Sequence, residues 1–593
     1  MRYSRPLLLG LLLALAGCTA VDARKKDKDA RQDRHSGQLT PPKPDVESGA
    51  SNPVVLAATP SAGGSGQTMH TMMSVAGLGA LVYGLMIGNA GKEPAEAHRQ
   101  SVVLLCAILT VEGMAHALFP QPYLSVIVAI FVAVLFTINP VDGTSRLTAL
   151  HMGSVPPICV LWLVAINVLR LGDVMRALYG NDSLRPYHLV VMFLGSVYLC
   201  TALERSGFLH TAALRVVEKY GRSPWGLFWA LGCFSATLTV LIPDDIVTMT
   251  LTPITIRMCQ LLNLPEIPFL FSQFFAGNIW AVTLVTGNPT NVLLAEDMHD
   301  TFVSFAARMG IPGVAAGLTS FALMYLTNRD KVDVTARPSM SEGGEEREKG
   351  ALMTSGSDEE KAPSAADNTE RTFTGKGIFA LVRVLTATLI CALENFHGLP
   401  VYLVVLVMGL VSFAIDLSLS VPDALDVLRH MPWELFSFVT GFLVLAEAMS
   451  ITGLSLWLAS AFIPLAASRN VAFVSGYITM LFCNVFETLP ATLIVFKMID
   501  SVPAWRPEAI AAAGANAFLY KDARRAALSA VIFGSNFGAN TACIGSLGGL
   551  MMRRLAKLQG VSVTNGMLLR QGIPVMIPTM FVACYVLIQQ DSI

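Results

Sequence analysis

The sequence predicts an all-α polytopic membrane protein made of two related halves whose helices are interrupted by polar breaks. Three observations carry that expectation. Of the 593 residues, 53% are hydrophobic and only 14% are charged, a balance that excludes a soluble globular chain. Apolar runs recur along most of the chain, with room for about eleven to thirteen crossings at about 20 residues each. Within those runs lie features that a plain spanning helix does not use: adjacent carboxylates at Asp244 and Asp245, then Gly287, Asn288, Pro289, Thr290 and Asn291. An ionisable side chain in lipid costs roughly 2.5 to 3.5 kcal/mol on insertion scales and so points to function. Gly and Pro free backbone groups that can hold a ligand where protein or water covers them, and transporters place substrates at such breaks.

The breaks recur. FAGNIWAVTLVTGNPTNVLL, from Phe275, aligns without a gap on FGSNFGANTACIGSLGGLMM, from Phe533. Phe275 matches Phe533, Asn278 matches Asn536 and Gly287 matches Gly545. Upstream, IPDDIVTMTL has a looser counterpart in VFETLPATLI, which sets Asp244 against Glu487. A carboxylate break followed by a Gly and Asn break in both halves is the internal repeat expected of a secondary transporter.

Taken in order, residues 1–20 begin basic (Arg2, Arg5) and continue with an apolar run too short to span a bilayer, the pattern of a signal or targeting segment. Leu15 to Cys18 resembles a lipobox; cleavage or retention is favoured over lipidation of Cys18. Residues 21–68 turn polar, with Lys25, Lys26, Lys28, Arg31 and Arg34, and read as a disordered tail. That basic cluster favours the cytoplasmic side, which conflicts with export and leaves orientation open. The first transmembrane half, 69–327, holds apolar segments at 69–89, 101–119, 121–139, 154–170, 187–203, 224–242, 269–295 and 305–326. Residues 206–221 are amphipathic and suit an interface or packing on the next span. Residues 328–376, acidic and without apolar periodicity, read as a disordered loop. The second half, 377–593, has spans near 378–393, 400–417, 436–449, 471–486, 528–549 and 573–588. Ile451 to Leu454 echoes Arg205 to Phe208 at the matching place.

The polar residues divide by chemistry. Asp244, Asp245 and Glu487, with Thr488 beside it, are candidates for ion coupling. The nearest basic residues are Arg257, about 18 Å along an ideal helix from Asp245, and Lys497, about 15 Å from Glu487. Both are expected at membrane interfaces, out of reach of these carboxylates. An acid-rich, base-poor pocket suits a cation, or a carboxylate that gains and loses a proton. Capping by one Asp, and a loop position for Glu487, stay open as structural alternatives. Asn278, Asn288, Asn291, Asn536 and Asn540 offer uncharged donors and acceptors. With Gly287, Thr290, Thr541, Gly545 and Ser546 they are candidates for substrate binding. Thr248, Thr250, Thr252 and Thr492 carry less weight, because Thr bonds back to its own helix. Pro253 and Pro490 shape helices.

A net charge of −1 gives no electrostatic reason to expect nucleic acid as a partner. The ten cysteines form no CxxC pair and read as small apolar fillers, so no disulfide framework, metal or cofactor is expected. Neither HExxH nor GxSxG accompanies the carboxylates, so no enzyme is expected.

DDIVTMTLTPITIRMCQLLNL (244–264), GNPTNVLLAED (287–297), FETLPATLI (486–494) and the stretch 544–574 resemble the ion transporter superfamily of arsenite permeases, the melanosomal P protein, citrate carriers and certain sodium/proton antiporters. The resemblance covers roughly 187–587. It implies an inverted repeat of helices with broken spans and re-entrant hairpins, alternating access and a homodimer. Where the family carries Asp and Asn, this chain has Asp244 and Asp245, and its second pair is Glu487 and Thr488. The expected function is secondary active transport, across a lipid bilayer, of a small inorganic solute or anion of the arsenite or citrate kind, coupled to protons or sodium. A sodium/proton antiporter and a non-transporting receptor are the alternatives.

Overall fold

The computed structural model describes residues 64–83, 94–141, 149–180, 185–221, 223–335 and 374–590. The expected targeting segment, and the expected tail up to residue 63, lie outside these. Among the described residues the chain is helical, with no β-strand. It divides into two compact units, one of residues 1–151 with 161–168 and one of 152–160 with 169–593. Both repeats therefore share the second unit, and the acidic loop does not divide the fold.

The first unit contains α1 (Gly64–Tyr83), α2 (Pro94–Leu118) and α3 (Pro122–Ile138). Pro122 opens α3, where its missing N–H and fixed φ suit a first turn. Trp162 Nε1 donates to Leu109 O at 2.9 Å in the same unit.

α4 (Val155–Ala165) has residues in each unit, and in the second unit α5 (Leu171–Tyr179), α6 (Tyr187–Arg205) and α7 (Phe208–Tyr220) lead to α8 (Pro224–Thr239), α9 (Asp244–Leu261), α10 (Glu266–Trp280), α11 (Pro289–Asp297) and α12 (Phe302–Thr335). The second half follows with α13 (Gly375–Ala392), α14 (Val401–Leu419), α15 (Val421–His430), α16 (Trp433–Ile451), α17 (Leu454–Ala459), α18 (Val471–Phe486), α19 (Thr488–Asp500), α20 (Ala517–Gly538), α21 (Leu547–Leu558) and α22 (Asn565–Gln590). Amphipathic α7 buries Leu209, Ala213 and Val217, four residues apart, so it packs by one face.

The repeat is visible in the backbone. Gly207 caps α7 at φ 76° and Gly453 caps α17 at φ 75°, a left-handed turn that favours glycine. α6 and α16 precede them, α8 packs on α10 and α18 packs on α20, and α12 packs against α22. Between α10 and α11 the helix gives way to two single 3₁₀ turns, Ala281–Thr283 and Val285–Gly287. Between α20 and α21 the corresponding turn is Cys543–Gly545. A Cβ on Gly287 would stand 2.3 Å from Ala281 O, and one on Gly545 would stand 2.7 Å from Gly538 O, so each break closes only around a glycine.

Seven helices among the described residues are long and apolar enough to cross a membrane: Glu96–Leu118, Tyr187–Arg205, Phe302–Val332, Gly375–Ala392, Val401–Leu419, Trp433–Ile451 and Asn565–Gln590. This is fewer than the eleven to thirteen expected, because the interrupted segments fall into pieces shorter than a span, as α10 and α11 do with 15 and 9 residues. A second difference lies at the expected loop 328–376. α12 continues to Thr335, because Asn328 is buried and its Oδ1 accepts from Gln571 Nε2 of α22 at 2.9 Å.

α6 and α14 meet backbone to backbone. A Cβ on Gly195 would lie 2.3 Å from Val405 O, and one on Gly409 would lie 2.7 Å from Gly195 Cα, the close approach that small residues permit between membrane helices. Gly195→Ala must push the two helices apart, and we expect it to cost about 1 to 3 kcal/mol, read as a lowered thermal unfolding midpoint in detergent. Gly310→Ala on α12, where nothing lies within 4 Å of the added Cβ, should leave the midpoint unchanged or raise it slightly.

Candidate functional site

The site begins with two interrupted helices restarting toward one another. A residue before proline is driven to extended backbone, and Asn288 accordingly sits at φ −152°, ψ 141°, with its Oδ1 accepting from Thr290 N at 3.0 Å. Ser546 holds the same place before α21 at φ −153°, ψ 159°, and its Oγ accepts from Gly549 N at 3.0 Å. The carboxylates also stand at helix starts. Asp244 and Asp245 are the first two residues of α9, and Glu487 is the residue before α19.

Four helix N-termini therefore gather around one cleft, of about 450 Å³ with its mouth included, lined by residues of both halves. Asp244, Asp245, Asn288, Thr290, Glu487, Thr488 and Ser546 line it together. Each N-terminus carries roughly half a positive elementary charge, the electrostatic counterpart of a carboxylate. Asp244 Oδ2 accepts from Asn288 Nδ2 at 3.2 Å, and Asp244 Oδ1 accepts from Asp245 N at 3.0 Å. Glu487 Oε2 accepts from Leu489 N at 3.0 Å and its Oε1 from Leu547 N at 3.2 Å. Glu487 thus caps its own helix and grips the start of α21. Its φ of 74° is rare for a side-chain-bearing residue and holds about 1 to 3 kcal/mol of strain, which the two accepted N–H bonds offset. Thr488 Oγ1 donates to Gly545 O at 2.6 Å, tying α19 to the second break.

Seven expected substrate contacts, Asn278, Gly287, Asn291, Asn536, Asn540, Thr541 and Gly545, do not line the cleft. The amides among them are buried, and a buried amide must find partners inside the protein. Asn278 Nδ2 donates to Phe274 O and Asn540 Oδ1, and Asn536 Nδ2 donates to Ile532 O and Asn291 Oδ1. Asn288 Nδ2 reaches Asn536 Oδ1 at 3.1 Å. Asn291 Nδ2 donates to Ala281 O and Leu284 O, two backbone carbonyls of the first break. Thr541 Oγ1 donates to Asn484 Oδ1 at 2.7 Å. These residues build the breaks that hold the cleft-lining groups in place. Arg257 is exposed, but Lys497 is not a bare interface residue: its Nζ pairs with Glu447 Oε2 of α16 at 2.7 Å.

The remaining lining is apolar: Phe193, Pro289, Leu435, Phe438, Val439, Leu489 and Leu547. Sequence reasoning marked Pro289 as part of the break but missed the other six, since an apolar residue on an apolar helix carries no local mark. A weak signal existed in the repeat register, because the spacing of Gly207 and Gly453 (453 − 207 = 246) is also that of Phe193 and Val439 (439 − 193 = 246).

A family model for citrate transporters matches residues 120–519. The chain belongs to the citrate transporter family. It is similar to the arsenical pump membrane protein of Yersinia enterocolitica, 23% identical over 444 residues that cover 73% of this chain and 92% of that protein. The Escherichia coli arsenical pump membrane protein is 24% identical over 401 residues, 66% of this chain and 83% of its own length. An uncharacterized transporter of Mycobacterium bovis is 21% identical over 423 residues, 69% and 87%. With seven apolar helices among the described residues, this family member is an integral, multi-pass membrane transporter.

Asn536→Ala in this transporter removes the partner of both Asn288 Nδ2 and Asn291 Oδ1. Leaving buried polar groups unpaired costs about 1 to 3 kcal/mol, and the expected outcome is a lowered unfolding midpoint in detergent. An unchanged midpoint would show that the amide network does not hold the breaks.

Proposed function

We propose that the chain is a secondary active transporter that carries a small solute through the cleft between its two halves, with protons or sodium handled by Asp244, Asp245 and Glu487. The observation that supports this is the composition of the lining: three carboxylates from both repeats and no Lys, Arg or His. Two unit charges 4 Å apart interact by about 4 kcal/mol at an effective dielectric of 20. A multiply charged anion such as citrate would meet that repulsion several times over unless cations entered with it. A small neutral oxyacid, such as protonated arsenite, meets none of it and can donate hydrogen bonds to the carboxylates and to the hydroxyl oxygens of Thr290 and Ser546. The names of the relatives from Yersinia enterocolitica and Escherichia coli agree with an arsenical substrate. Small anions accompanied by protons or sodium belong to the same reading. The acid-only lining also favours a second reading, sodium/proton exchange with no other solute.

The test is flux in proteoliposomes, with arsenite, citrate and chloride presented in parallel under imposed proton or sodium gradients. Asp245→Asn and Glu487→Gln are each expected to lower gradient-driven flux by about tenfold or more. Unaltered flux in both variants would defeat the coupling role. Sodium and proton movement with no solute flux would select the antiporter.

A further inference from the structure

Helices α1, α2 and α3 carry a polar cluster that shares no residue with the cleft. His70 is fully buried, Glu112 is 2% exposed, and Ser74 and Ser125 are buried beside them. His70 Nδ1 lies 2.8 Å from Phe119 O. A carbonyl oxygen only accepts, so Nδ1 carries hydrogen. His70 Nε2 lies 2.6 Å from Glu112 Oε1, where two bare lone pairs would repel, so a proton lies between them. Imidazolium with carboxylate and imidazole with carboxylic acid satisfy that contact equally, and both have zero net charge. Ser74 Oγ donates to Glu112 Oε2 at 2.6 Å. Ser125 Oγ stands 3.2 Å from Glu112 Oε1 and also 3.2 Å from His116 Nδ1. Its single hydroxyl hydrogen serves one of them at a time.

The result is a chain of exchangeable hydrogens from buried His70 through Glu112 and Ser125 to half-buried His116. Of the other titratable or charged side chains described on these helices, Glu96, His98 and Arg99 stand at least thirteen residues from Glu112 (112 − 99 = 13), about 20 Å or more along α2. Cys106 is exposed, and Tyr123 lies at the start of α3. His70, Ser74, Glu112 and His116 all precede the region that matches the family model.

We propose that this cluster is a proton-binding site, with the bound proton shared by His70 and Glu112 and exchanged with solvent through Ser125 and His116. Release moves no electrons. The shared proton passes to Ser125 Oγ as the Ser125 hydroxyl hydrogen passes to His116 Nδ1, and His116 then gives up a proton to water. What remains is neutral His70 facing a Glu112 carboxylate that accepts from Ser74 and Ser125, a net charge of −1. With a lone pair now opposing that carboxylate, the contact between His70 and Glu112 must open.

The test is isotope-edited infrared spectroscopy of the full chain in lipid nanodiscs, using ¹³C-labelled glutamate and scanning from about pH 4 to pH 10. Wild type should show a glutamate carboxyl band that titrates, is absent in Glu112→Gln and is displaced in His70→Gln. His116→Gln, at a half-buried position, should keep the band and slow its hydrogen–deuterium exchange by about tenfold or more. Identical titrating bands in wild type and a Glu112→Gln protein of unchanged helix content would overturn the site. So would a wild-type spectrum with no titrating glutamate beyond those removed by Glu487→Gln, a measurement that holds even where Glu112→Gln does not fold. Unchanged exchange in His116→Gln would overturn the route.

Discussion

A carboxamide or a freed backbone carbonyl inside an apolar helical body must find its partner in the protein, because no water is at hand to supply one. Asn536 shows the consequence. It donates to the carbonyl one turn back in its own helix and to Asn291 of the other half, and it accepts from Asn288, which in turn donates to Asp244. Satisfying one amide therefore fixes the start of α11, the start of α9 and the last turn of α20 against one another. The two repeats are joined through their breaks, and the cleft is the space that this joining leaves.

The same constraint explains why the carboxylates stand where helices begin. Within a helix, all N–H groups but those of the first turn are already bonded. Asp244, Asp245 and Glu487 occupy the positions where donors remain; Asp244 receives hydrogen bonds from Asn288 and from Asp245 N, and Glu487 from Leu489 and Leu547. Capping and coupling are thus compatible uses of one geometry. A carboxylate held by a helix terminus alone keeps its partner when an ion arrives, whereas one neutralised by Lys or Arg would have to give that partner up. Lys497, which could have played that part, is engaged by Glu447 instead.

In the first unit the solution is different. Glu112 lies in the body of α2, away from any free helix end, and is matched by His70, Ser74 and Ser125. Side chains from three helices do there what helix termini do in the cleft. One arrangement leaves an open space beside its carboxylates, and the other closes around a shared proton.

The sequence by itself determined the helical class and the two breaks. Apolar length, a glycine that admits close backbone approach, and a proline that sets the residue before it are local properties. It also singled out Asp244, Asp245, Asn288, Thr290, Glu487, Thr488 and Ser546, which line the cleft, because charge, amide and hydroxyl in apolar surroundings stand out residue by residue. Only the tertiary structure decided which polar groups face the cleft and which are consumed behind it. Asn278 and Asn288 each donate to an amide of the other repeat, Asn540 and Asn536 respectively, and what separates them is that Asn288 also lines the cleft whereas Asn278 does not. The apolar wall of Phe193, Leu435 and Phe438, and the meeting of His70 with Glu112 across 42 residues, were likewise settled by packing. Contacts between helices distant in sequence depend on relative placement, which no local pattern encodes.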